Sequence, residues 1–138
     1  MNIRRCVAVM AALAVGASGA SGAWAHGGDE ETVTPLMKQA LPEAPGENVL
    51  MATVAFEPGQ ASEAHRHPGS IFAYVLEGHV VSQLKGSAAK TYGPGESWYE
   101  PPGAHHVVAK NASGTEKAVL LVFAIAGEGD AVKSPIPR

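Results

Sequence analysis

Residues 59–106, GQASEAHRHPGSIFAYVLEGHVVSQLKGSAAKTYGPGESWYEPPGAHH, alternate short apolar runs with turns built on glycine and proline. The runs at 71–77, 79–85, 90–92 and 97–100 carry the Val, Leu, Ile, Phe, Tyr and Trp side chains that suit a pleated, half-buried surface. Between them stand Pro68-Gly69, Glu77-Gly78, Lys85-Gly86, Gly93-Pro94-Gly95 and Pro101-Pro102-Gly103. The same pattern continues outward. A strand is expected at 49–56 before the Pro58-Gly59 turn, and two more at 106–110 and 118–126, on either side of a turn at 111–114. Many short strands separated by regular turns predict an all-β sandwich or small barrel of one domain.

The flanks read differently. Residues 26–48 form a polar arm with Pro35, Pro42 and Pro45 and one helix-like patch at 36–41, expected to lie over the domain or a neighbour. Residues 127–138 carry Pro135 and Pro137 and read as a loose C-terminal tail. Residues 1–25 read as a secretory signal peptide: Arg4 and Arg5 are its basic start, 7–15 its apolar stretch, and Ala23-Trp24-Ala25 its cleavage site. Glycines at 16–22 break the apolar run short of a membrane span. Cleavage after Ala25 predicts a periplasmic or secreted protein with no membrane association once mature.

Removing residues 1–25 takes two of the ten basic residues and none of the 13 acidic ones, so a net charge of −3 becomes −5. Such a surface excludes nucleic acid as a partner. The single cysteine, Cys6, leaves with the signal, so the mature chain has no disulfide, thiolate ligand or cysteine nucleophile. A secreted domain of this size without disulfides needs a good core or a partner subunit.

The six histidines carry the chemistry. In an extended chain His65 and His67 point to one face and Arg66 to the other, which makes a bidentate clamp for a metal ion. His105-His106 follows the Pro101-Pro102-Gly103-Ala104 turn, and only one of these neighbours can join that clamp. His79 reads as a surface residue, and His26 as a new N-terminus with a chance imidazole. Tyr74, Trp98 and Tyr99 are candidates to line a pocket for a planar ligand, or else core. Asn111-Ala112-Ser113 fits a glycosylation sequon, a motif short enough to recur by chance.

These residues resemble the cupins. Gly59-x5-His65-x-His67 followed by Gly78 is similar to the first cupin motif, and Gly95-x5-Pro101-x-Gly103-x2-His106 to the second; the resemblance covers residues 49–126. It implies a cupin jelly-roll barrel with a divalent transition metal (Fe, Mn, Ni, Cu or Zn) on His65, His67 and His106, and His105 turned outward. Two positions depart from the pattern. Ile71 stands where the first motif usually has a glutamate ligand, and Lys110, with Asn111 after it, where the second usually has asparagine. The implied site is therefore three neutral imidazoles with open positions, which favours anionic ligands.

The implied function is an exported metal-binding cupin acting as a quercetinase-like dioxygenase on a small molecule, with Glu63 or Glu100 as general base. The alternative is a non-catalytic cupin that binds or senses a small molecule or metal, since fold does not imply function. A homodimer is expected, with the arm reaching across.

Overall fold

The computed structural model describes residues 30–137; the signal peptide expected at 1–25 and His26 lie outside the described residues. Ten strands and no helix make up the described residues: β1 (Thr32–Ala40), β2 (Glu47–Phe56), β3 (His65–Arg66), β4 (Ile71–Glu77), β5 (Val80–Leu84), β6 (Lys90–Tyr92), β7 (Ser97–Glu100), β8 (His105–Asn111), β9 (Ala118–Gly127) and β10 (Ser134–Pro135). They pair antiparallel in two five-stranded sheets, ordered β1-β2-β9-β4-β7 and β10-β3-β8-β5-β6, the two halves of a jelly-roll barrel. Every strand expected from 49 to 126 is present, with ends shifted by a residue or two.

Period-two burial builds the interior. β4 buries Ile71, Ala73 and Val75 and exposes Phe72, Tyr74 and Leu76; β9 buries Ala118, Leu120, Ala124 and Ala126. Phe56, Val75, Val80, Ala109, Ala118 and Leu120 form the core, with Val54, Tyr92, Trp98 and Val122 packed against it. Asn111 ties the end of β8 to the end of β2. Its buried Nδ2 shares its hydrogens among the carbonyls of Phe56, Glu57 and Glu116, and its Oδ1 accepts from the Ser113 N–H. The sequon's acceptor nitrogen is thus committed inside the fold.

Both flanks are more ordered than the sequence suggests. The helix-like patch at 36–41 is not helical: β1 runs along β2, with a register shift between Pro35 and Met37. Pro35 and Pro42 leave too few residues between them to nucleate a helix, and the free edge of β2 offers a full ladder instead. Pro35, which lacks an N–H, sits on an edge strand, where that loss is tolerated. Ser134 and Pro135 in turn pair with Arg66 and His65, so the C-terminal segment closes the edge of β3.

Gly69 approaches β9 closely enough that a Cβ there would fall on the Ile125 carbonyl. Gly69→Ala should therefore destabilise the protein by about 1–3 kcal/mol, as overpacking does. Gly114→Ala, where a Cβ meets nothing within 4 Å, should stay within about 0.5 kcal/mol. Urea denaturation followed by circular dichroism checks both.

Candidate metal centre

β3 is only two residues long, so its neighbours position it. His65 pairs with His106 and Arg66 with His105 across the β3–β8 ladder. Residues directly opposite share a face, so the His65 and His106 rings meet, with centroids 5.1 Å apart. His67 follows on the same face, its ring 4.9 Å from that of His65, while Arg66 is exposed. The turn before β8 is stitched to the other motif: the Gly103 N–H donates to the His67 carbonyl at 2.8 Å. One candidate ligand atom from each of His65, His67 and His106 lies within 4.8 Å of the others.

Hydrogen bonds settle two of the three tautomers. His65 Nδ1 lies 2.7 Å from the Glu63 carbonyl, and His67 Nδ1 lies 2.5 Å from the Val132 carbonyl. A carbonyl only accepts, so both Nδ1 atoms carry the proton and both Nε2 atoms keep a free lone pair. His106 has Nε2 2.8 Å from Ser82 Oγ and Nδ1 3.1 Å from Glu100 Oε1. Burial lowers the His65 pKa to about 4, against the Glu63 carbonyl and with the other two histidines and Lys133 adding repulsion. Burial also lowers that of His67, against the opposing pull of the Val132 carbonyl and Glu100. The two rings are therefore neutral at pH 7, the form that binds a metal.

The sequence raised Glu63 and Glu100 equally; the structure separates them. The Glu63 side chain is exposed and away from the site. Glu100 is 3% exposed and lies directly opposite Ile71 in the β4–β7 ladder. Burial pushes its pKa up, but hydrogen bonds from His106 and Trp98 outweigh this and hold it below the ordinary carboxylate range. Its Oε1 accepts from Trp98 Nε1 at 2.9 Å and faces His106. Its Oε2 is buried without a hydrogen-bond partner, 3.8 Å from His67 Nε2. The cross-strand register that puts Glu100 here is not visible in motif spacing.

These groups occupy one part of a cavity of about 570 Å³. Its wall is otherwise largely apolar, with Val54, Phe56, Ile71, Leu120 and Val122 among its residues. Lys133 also reaches it, bonded to Glu31 Oε1 at 2.5 Å. Of the three aromatics singled out, only Trp98 lines this cavity; all three line a second, more open pocket on the outer face, with Phe72 and Phe123. His79 is exposed, and His105 is half-buried outside the cavity wall. Three clustered imidazoles and an orphaned buried carboxylate oxygen are a donor set that fits a divalent transition metal.

The Cupin_2 family model, described as a cupin domain, matches residues 52–124, just over half of the chain. The chain is a cupin. Among solved structures, the DMSP lyase DddQ from Ruegeria pomeroyi DSS-3 superimposes with a TM-score of 0.62 at 20% identity, over 78% of this cupin and 52% of the lyase. The protein TT1209 from Thermus thermophilus gives 0.55 at 31% identity, over 69% of this cupin and 82% of its own length. An oxalate oxidase solved with the substrate analogue glycolate gives 0.55 at 24% identity, over 72% and 55%. This cupin thus spans about half the length of the lyase and of the oxidase, and its likeness to them is one of fold. No curated protein matches the sequence at a significant level.

His65 has a lower proton affinity in the folded chain than its ordinary 6.5. The unfolded chain therefore takes up the proton first as pH falls, and the stability tied to neutral His65 is complete above pH 6.5 and lost towards about pH 4. The thermal midpoint of the metal-free protein should drop across that window. His65→Gln should flatten the drop, a change read directly from melting curves between about pH 7 and pH 4.

Proposed function

We propose that this cupin is an exported metal-dependent dioxygenase that acts on a small molecule with an apolar body and one oxyanion head, such as an enolate or catecholate. The observation that carries the reading is the convergence of His65, His67 and His106 in a largely apolar cavity. In this proposal the three histidines hold the metal, which when bound supplies Lewis acidity towards the substrate oxyanion. The chain's own groups do the rest. The Glu63 and Val132 carbonyls hold two rings by Nδ1 and leave each Nε2 with the lone pair that would bind the cation. The apolar wall excludes water around the substrate body. Both atoms of dioxygen enter the product, so no external reductant is needed.

The structural neighbours described as a DMSP lyase and an oxalate oxidase show that this barrel shape serves catalysis on small molecules elsewhere. Export is part of the proposal and is supported by the sequence of residues 1–25. So is a homodimer, supported by the apolar side chains Phe72, Tyr74, Tyr99 and Phe123 exposed on the outer face of β4, β7 and β9. Native mass spectrometry finding only monomer removes that part.

Elemental analysis of the mature protein beside His106→Ala is the primary test. The wild type should hold about one equivalent of a divalent transition metal, and the variant should lose it. Oxygen uptake with a catechol, a β-diketone and a flavonol then tests the reaction. Metal without oxygen uptake, together with tight binding of one of these compounds, would make the protein a non-catalytic binding module. No metal in either form, even after reconstitution, would sink the proposal.

A further inference from the structure

We propose that Glu100, through its Oε2, supplies a carboxylate ligand to this metal centre from the strand facing the one that carries Ile71. The proposal rests on the metal reading above and concerns which atoms complete the site.

Register comes first. Ile71 and Glu100 are directly opposed in the β4–β7 ladder, so their side chains leave the sheet on one face. Both are buried and both line the cavity. Glu100 therefore reaches the same space that a side chain at 71 would reach, by way of a different strand.

The bonding of Glu100 comes second. Oε1 is satisfied by the Trp98 N–H at 2.9 Å and by His106 Nδ1 at 3.1 Å. Oε2 is buried and has no partner. A carboxylate oxygen removed from water without a compensating bond is costly, and such an atom calls for an explanation. A residue serving only to orient His106 would be finished with Oε1; the second oxygen would be a pure liability.

Distance comes third. Ligand atoms bonded about 2.1 Å from one cation stand about 3.0–3.4 Å from one another in octahedral or tetrahedral arrangements. Glu100 Oε2, the proposed ligand atom, lies 3.8 Å from His67 Nε2, a little beyond that range without any ion in place, and Oε1 of the same carboxylate lies 3.1 Å from His106 Nδ1. Ser82 removes the remaining conflict. Its hydroxyl, 2.8 Å from His106 Nε2, either donates or accepts. With a cation bound, the ring would carry its proton on Nε2, give up its bond to Glu100 Oε1, and offer an unprotonated Nδ1 as the ligand atom. The carbonyls that hold His65 and His67 permit only one tautomer; the hydroxyl behind His106 permits both.

The test titrates metal-free mature protein with Co(II), reading affinity by chelator competition and coordination by the visible spectrum. Wild type, Glu100→Gln and the double variant Ile71→Glu/Glu100→Gln are compared. Glutamine keeps the oxygen that accepts from Trp98 and removes the charge. The expected result is an affinity loss of roughly 100-fold for E100Q, at the upper end of what supporting-residue changes cause, with a changed spectrum. The double variant should recover at least about tenfold of it, because it returns a carboxylate to the opposed position. Wild-type affinity and spectrum in E100Q would overturn the proposal. A loss that the double variant does not recover would also overturn it and leave Glu100 as a positioning residue for His106. If E100Q does not fold, the infrared difference spectrum of wild type on adding Co(II) decides: shifted carboxylate stretches support the proposal, and their absence overturns it. A wild type that takes up no divalent metal would remove the three-histidine reading itself, an outcome distinct from the others.

Discussion

The site depends on the pairing of a two-residue strand, β3, with β8. On its own a strand of two residues is not stable, and three contacts hold it. The β8 ladder sets His65 against His106, the Gly103 N–H binds the His67 carbonyl, and β10 closes the opposite edge. Slipping this register by one residue would turn Arg66 inward and both clamp histidines outward. The C-terminal segment is thus part of the site, since the carbonyl of Val132 also fixes the tautomer of His67.

That arrangement asks the barrel to bury unusual chemistry. His65, His67, His106 and Glu100 stand where an ordinary small barrel would place aliphatic side chains. Desolvation is moderated by keeping His65 and His67 neutral and by giving the Glu100 carboxylate two donors on one oxygen. The uncompensated Oε2 is the cost left over in this scheme, and buried polar groups left partly satisfied are characteristic of sites rather than of cores. The stability these groups forgo is offset by the core, where Phe56, Val75 and Val80 are almost fully buried, and by Asn111, which locks two strand ends together.

Most of the barrel was legible because its signals are local. Alternating β4 and β9 and the Gly/Pro turns announce themselves, and His65-x-His67 declares a shared face without tertiary information. The convergence of His106 was legible only through the resemblance. What stayed hidden was non-local. β1 is exposed along its whole length, so no burial pattern marks it, and only the open edge of β2 makes it a strand. β10 is two residues long and exists because β3 offers it an edge. Glu100 was named in sequence only beside Glu63 as a candidate base, because the register in the β4–β7 ladder that sends it inward leaves no mark on motif spacing.

Electrostatics then narrows what the cavity can accept. Lys133 and Glu31 neutralise each other at 2.5 Å, and His65 and His67 carry no charge at pH 7. Glu100 is the remaining fixed charge deep in the cavity, held ionised by His106 and Trp98. A divalent cation beside it would leave one unit of positive charge in a largely apolar chamber. A ligand bearing a single negative charge would neutralise it, whereas a dianion would overshoot and a neutral molecule would leave it uncompensated. The rest of the wall offers few polar partners, so the ligand's remaining atoms must be apolar to be bound at all. Within the proposed reading, the chamber therefore selects for molecules whose polarity is confined to one end.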